Sequence, residues 1–222
     1  MRSLVILGKG ESCLTSNKKF IDSHDKVCVI NNVVFSEKYK QFISTRANYQ
    51  FMNSSADYYD KEIFKLLGLE KILFHGKENQ KFKRAPSHYN KTKMQYIIPN
   101  LHSLFTEKFG FDPAGGIQAL YYFTEIEVFE NISLVGFDFY QLNKQPYYFD
   151  VNEGGTQLRK SLIKKEYKGY VVNEPSGHNT QKSIKFCHDL MKEKNNIKFK
   201  IISNNEDFKN IKLDNVEIFK NG

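Results

Sequence analysis

Leu4-Val5-Ile6-Leu7-Gly8-Lys9-Gly10 is the stretch from which the fold can be read. Four aliphatic residues follow one another without a polar break and stop at a glycine. Such a run is too short for a helix and suits a strand buried on both faces of a parallel sheet. Gly8-Lys9-Gly10 predicts a tight turn, with Ser12 placed to cap a helical turn behind it. The pattern recurs: residues 27–30 end in Asn31-Asn32, and residues 49–52 end in Asn53-Ser54-Ser55. Residues 72–74, 132–135 and 198–202 read as further strands, and 215–219 as a weaker one. Helical spacing of apolar residues predicts helices over 57–67, 97–109, 117–124 and 180–192. Strands alternating with helices predict an α/β domain with a mainly parallel sheet.

With 222 residues, no internal repeat and no low-complexity linker, the chain reads as one domain over 1–222. Two long polar stretches interrupt it. Residues 76–93 hold Lys77, Lys81, Lys83, Arg84, His88, Lys91 and Lys93, and read as a basic loop or insertion. Residues 152–176 are again polar and basic, and a loop of that length in a compact domain is usually functional or mobile. A mean hydropathy of -0.55 and the lack of any apolar run of about 18 residues argue against a membrane span. The first apolar segment is broken at Gly8-Lys9-Gly10, before a cleavable signal could form, so a cytoplasmic protein is expected. Cys13, Cys28 and Cys187 are far apart and lack metal-ligand spacing, which predicts reduced thiols. A net charge of +8 favours anionic partners; nucleic acid, an anionic membrane face, a phosphorylated glycan and a nucleotide sugar all fit it.

In a parallel sheet, ligands bind outside the carboxyl ends of the strands, so Gly8/Gly10, Asn31/Asn32 and Asn53/Ser54 would share one rim. Glycine lets a backbone approach a phosphate or ribose, and asparagine offers both a donor and an acceptor. Each of these residues alone also has a purely structural reading, since both types turn well at strand ends. Gly8-Lys9-Gly10 begins like a dinucleotide fingerprint, but the third glycine is missing. No acidic residue closes 27–30, so a nicotinamide cofactor is not expected. There is no Walker lysine motif and no metal-binding aspartate motif, so neither a cofactor nor a metal is expected. Among the 6 histidines, His178 stands out. It precedes Asn179-Thr180 at the start of a helix, where the helix dipole favours the neutral imidazole a general base requires. Tyr140 and Tyr147-Tyr148 are candidates to hydrogen-bond a leaving phosphate, though with 13 tyrosines in the chain packing is the stronger reading for any one of them alone.

Taken in order, these residues resemble the bacterial sialyltransferases of glycosyltransferase family 42. The likeness begins at Ile6-Leu7-Gly8-Lys9-Gly10-Glu11-Ser12 and passes through Asn31-Asn32, Val33-Val34-Phe35 and Asn53-Ser54. It is densest at Ile132-Ser133-Leu134-Val135-Gly136-Phe137-Asp138-Phe139-Tyr140-Gln141 and Tyr147-Tyr148-Phe149-Asp150, and closes at Ser176-Gly177-His178-Asn179-Thr180. The resemblance implies a single Rossmann-like domain, a GT-A variant, with a mobile lid at 152–176, and an inverting, metal-independent transferase. It implies transfer of sialic acid or a related nonulosonic acid from a CMP-sugar donor to a glycan acceptor of lipooligosaccharide or capsule. That acceptor would be lipid-linked and anionic.

By the same likeness Gly8, Gly10, Asn31 and Asn53 would hold the CMP, and Gly115-Gly116 would line its cleft; Lys9 is a candidate to pair with the phosphate, pointing to solvent being an equal reading. Tyr140 and Tyr147 would contact the departing phosphate, and His178 would act as base. Lys9 stands where the family usually has asparagine, and Asp112 where it has arginine. Another CMP-sugar such as CMP-Kdo, and a non-catalytic nucleotide- or RNA-binding protein, are the alternative readings. The resemblance also implies a homo-oligomer. The basic loop and the lid lysines Lys160, Lys164 and Lys165 are the candidates for peripheral contact with the inner membrane, a solvated surface being the other reading.

Overall fold

The computed structural model describes residues 2–53, 58–75, 85–89, 93–97, 101–139, 147–149, 153 and 179–219. The opening aliphatic run forms β1 (Ser3–Leu7), with Leu4 and Ile6 packed into one core and Val5 and Leu7 into another. This alternation explains why the run has no polar residue: each face of the strand meets its own apolar layer. The other strands are β2 (Lys26–Ile30), β3 (Tyr49–Met52), β4 (Lys71–Phe74), β5 (Met94–Tyr96), β6 (Asn131–Val135), β7 (Lys198–Ile202) and β8 (Val216–Ile218). Among the described residues these eight form one sheet in the order β5-β4-β3-β2-β1-β6-β7-β8, and every adjacent pair is parallel.

The helices are α1 (Lys18–Asp22), α2 (Lys61–Leu67), α3 (Leu101–Phe109), α4 (Gly115–Glu125), α5 (Thr180–Glu193) and α6 (Glu206–Lys209). Side-chain oxygens stop the N-termini of four of them by accepting orphan amides: Asn17 for α1, Asp60 for α2, Asn179 for α5 and Asn205 for α6. α1 and α2 pack on the face of Val5, Val27 and Val29. α3, α4, α5 and α6 pack on the opposite face, against Leu4, Ile6, Leu134 and Ile201. The chain therefore winds outward from β1 along one face, crosses back, and winds outward again along the other. β1 is the point at which the strand order reverses.

The predicted strands and their parallel arrangement are found, with three corrections at the element level. The helix expected over 97–109 begins at Leu101, because 94–96 form the unforeseen edge strand β5 and Ile97 is buried at its end. The helix expected from residue 57 begins after Asp60, whose carboxylate accepts the Glu62 and Ile63 amides. Ser12 caps nothing; it lies inside a 3-10 turn (Glu11–Thr15) that follows Gly10. Within the basic loop expected over 76–93, the described residues are anchored: Tyr89 is buried and His88 Nε2 lies 2.9 Å from the Tyr59 carbonyl oxygen. Cys13, Cys28 and Cys187 are unbonded and buried.

Candidate active site

The carboxyl ends of β1 and β6 meet at the reversal point, where open α/β sheets form their ligand crevice. The backbones come very close there. A methyl group on Gly8 would sit 2.4 Å from the Gly136 carbonyl oxygen, and one on Gly10 would sit 2.4 Å from Asp138 Oδ2. Gly136 itself has φ +77°, a conformation open to glycine. The Gly8 and Gly10 amides donate to the Val135 and Gly136 carbonyls at 2.7 and 2.9 Å. Sequence reasoning attributed these glycines to close approach of a ligand. Within the structure the close approach that these glycines permit is made by the turn after β6.

Asp138 fastens this turn. Its carboxylate accepts the Ser12 amide (2.8 Å), the Ser12 hydroxyl (2.6 Å) and the Asn204 amide (2.8 Å), joining the tips of β1, β6 and β7. Sequence reasoning did not assign Asp138 a place in the site, because its partners lie far away in the chain.

Lys9 projects from this fixed loop. Its backbone carbonyl accepts the Tyr148 amide at 2.9 Å, and its ammonium lies 4.8 Å from the centre of the Tyr147 ring. Tyr147 is buried and stacks on Phe149 with ring centres 5.4 Å apart and planes 7° apart. Burial pushes the Lys9 pKa down to about 8, and among the described residues no carboxylate pairs with it. The loop of Gly8–Gly10, Lys9 and Tyr147 thus form one cluster.

A second cluster lies along the tips of β2, β3 and β4. Asn31 adopts φ 55°, and its side-chain oxygen accepts the Asn53 amide at 2.9 Å. Beside it, His75 follows β4 directly, is 3% exposed, and packs on Phe51 at 4.4 Å. Burial pulls the His75 pKa down to about 3, so the ring is neutral. α4 begins against this group: a methyl on Gly115 would meet Ile30 at 3.3 Å and His75 Nε2 at 3.4 Å, and one on Gly116 would meet the Phe137 ring at 2.9 Å. Ala114 gives α4 no side-chain cap. Gly116 against Phe137 joins this cluster to the first. His75 went unremarked in the sequence, yet it ends a strand just as Asn31 and Asn53 do, and that is the signal that could have found it.

His178 and Tyr140 lie outside the described residues, as does the lid over 152–176 apart from Glu153. The chain on either side of that gap is described. Phe139 holds φ 54°, rare for a bulky side chain and a mark of local strain, and its carbonyl accepts the Thr180 hydroxyl at 3.3 Å. Glu153 accepts the Tyr39 hydroxyl at 2.7 Å. Asp112 lies 2.9 Å from His102 Nδ1 at the surface before α4. Among the described residues, no group of three or more His, Cys, Asp or Glu side chains is placed to hold a metal ion, and no helix is long and apolar enough to cross a membrane.

No protein-family model matches the chain, and no curated protein matches it in sequence. Solved structures do match in fold. The sialyltransferase CstII from Campylobacter jejuni, in complex with the substrate analogue cytidine-5'-monophosphate, is 18% identical with a TM-score of 0.64; the match covers 100% of this chain and 86% of that one. CstII with CMP-3FNeuAc is 17% identical with a TM-score of 0.58, over 100% and 87% of the two chains. The monofunctional alpha-2,3-sialyltransferase Cst-I from the same organism is 18% identical with a TM-score of 0.60, over 92% and 76%. The chain has the fold of these proteins, a single α/β unit built on a parallel sheet.

Proposed function

We propose that the chain is an inverting, metal-independent glycosyltransferase that moves sialic acid or a related nonulosonic acid from a CMP-sugar to a glycan acceptor. One observation carries this reading. In a fold shared with CMP-bound sialyltransferases, Gly8, Lys9, Gly10, Asn31, Asn53, Gly115, Gly116 and Tyr147 fall along one rim that runs from the strand-order reversal over the tips of β2, β3 and β4. On this reading Asn31 and Asn53 hold the nucleoside, with Gly115 and Gly116 lining the same cleft. The leaving CMP takes the bonding electrons onto its phosphate, where the Tyr140 and Tyr147 phenols neutralise the developing charge. His178 removes the proton from the acceptor hydroxyl as its oxygen attacks the anomeric carbon from the opposite face. The acceptor is lipid-linked and anionic, part of lipooligosaccharide or capsule. The enzyme works as a homo-oligomer against the inner membrane face, with 1–222 acting as one domain.

Incubation of the protein with a panel of CMP-sugars tests the reading. A nonulosonate donor should be hydrolysed or transferred at the same rate with and without EDTA, and CMP should raise the Tm. His178→Ala should lose at least about 100-fold in turnover, the scale of a general base, while still binding CMP. Turnover of that variant near wild type would remove His178 from the mechanism. Salt-sensitive binding to unstructured RNA with no response to cytidine nucleotides would favour the RNA-binding alternative instead.

A further inference from the structure

Lys9 sits on a loop pinned by backbone hydrogen bonds on both sides. Gly8 N–H and Gly10 N–H are bonded to the β6 turn, and the Lys9 carbonyl is bonded to Tyr148 N–H, so the backbone on both sides of Lys9 is fixed. The side chain rests on the face of Tyr147, itself stacked on Phe149, so one side of the ammonium is closed to water.

Among the described residues, the charged and titratable groups of the neighbouring elements have other partners or face solvent. Asp138 at the β6 tip accepts from Ser12 and Asn204. Cys13 on the 3-10 turn is buried, and burial raises its thiol well above its ordinary value, so it stays neutral. The Tyr148 hydroxyl donates to the Val34 carbonyl. Glu153 takes the Tyr39 hydroxyl and lies 3.9 Å from Lys38. Glu11, the nearest carboxylate in sequence, is exposed to solvent. A cation held on a rigid loop at the crevice, partly stripped of water and with no carboxylate paired to it among the described residues, is arranged for an anion that arrives from outside.

We infer that Lys9 is the counter-ion of the donor's phosphate and takes up a proton as the nucleotide binds. This inference rests on the donor site proposed above and deepens it. In the free protein, desolvation leaves Lys9 titrating near pH 8, so a fraction of molecules meet the ligand with a neutral amine. A phosphate dianion against Tyr147 favours the ammonium form and draws a proton from solvent. Proton uptake should therefore be about half a proton per nucleotide at pH 8 and larger at pH 9. Affinity should fall as the pH rises above 8, because each binding event must then protonate Lys9 first.

Calorimetry of CMP binding to the full chain at pH 8, in two buffers of different ionisation enthalpy, measures that uptake. Lys9→Met should abolish it and weaken CMP about 10- to 100-fold, the scale of a charge-assisted hydrogen bond. Lys9→Arg should abolish uptake and keep the affinity, because arginine is already protonated. Cytidine, which lacks the phosphate, should bind with no uptake to any of the three proteins. Equal uptake and equal affinity in wild type and Lys9→Met would overturn the inference and leave the donor site standing. Lys9-dependent uptake with inorganic phosphate as strong as with CMP would support the inference and count against a cytidine donor. Absence of CMP and phosphate binding to wild type would overturn both.

Discussion

A desolvated lysine costs the folded state something, and Lys9 makes that cost measurable. Burial holds it near pH 8, below its ordinary 10.5, so between those values the unfolded chain keeps a proton that the folded chain has released. Stability from this group therefore rises with pH across that window and is lowest below pH 8. Lys9→Met without ligand should be more stable than wild type at pH 7, on the order of 1–2 kcal/mol once the partial exposure of the residue is allowed for. Thermal melts at pH 7 and pH 10 should show the gap closing. A gap independent of pH would mean that packing, not charge, sets it. The glycines beside Lys9 show where reading single residues reached its limit. Their need for close approach was legible, but whether ligand or backbone approaches depends on Gly136 and Asp138, more than 120 positions away.

At the scale of elements, aliphatic runs such as 27–30 and 132–135 were readable because a strand covered on both faces has no use for polar residues. β5 escaped because Met94-Gln95-Tyr96 is short and lies at the sheet edge beside lysines, where no such purity is required. How the long β2–β3 connection is held carried no signal. It is held by tyrosine hydroxyls: Tyr148 accepts the Val34 amide (2.9 Å) and donates to the Val34 carbonyl (2.8 Å), and Tyr59 accepts the Val33 amide (2.8 Å). A sequence with 13 tyrosines offers no clue as to which ones serve distant backbone. Tyr148→Phe should leave both polar groups of Val34 unpaired and cost about 1–3 kcal/mol. Urea unfolding should show a lower midpoint with an unchanged slope. Because Tyr148 is adjacent to Tyr147, CMP affinity measured alongside should fall far less than in Lys9→Met; an equal fall would tie the phenol to the ligand rather than to the connection.

For the whole molecule, the part of the strand order that sequence could not supply is the β1–β6 pair, the one neighbour among the described strands that is not consecutive in the chain and that depends on where it crosses back. The shared rim needed less: only that the strands be parallel, which puts all their carboxyl ends on one side. That rim carries a consequence for acid stability. His75 is neutral when folded, with a pKa near 3, whereas in the unfolded chain it titrates at the ordinary 6.5. Burial also lowers His24, whose Nε2 lies 2.7 Å from the Ser133 hydroxyl. Below pH 6.5 the unfolded state binds protons that the folded state refuses, so stability falls with pH, by about 1.4 kcal/mol per unit from His75, with His24 acting in the same direction. From His75 alone the loss at pH 5 is about 2 kcal/mol, or roughly 4–8 °C in Tm for a chain of this size. Asp22, Glu70 and Glu127 act in a lower window, because their partners hold them below their ordinary values and their contribution is lost only as pH falls through those depressed values. The two windows can be separated. Melts of wild type and His75→Gln between pH 7 and pH 5 should show a shallower slope in the variant, whatever its absolute Tm, and the lines should become parallel only below about pH 3. Identical slopes above pH 5 would mean that His75 is hydrated and charged in the folded protein, and its place between Phe51 and the start of α4 would have to be redrawn.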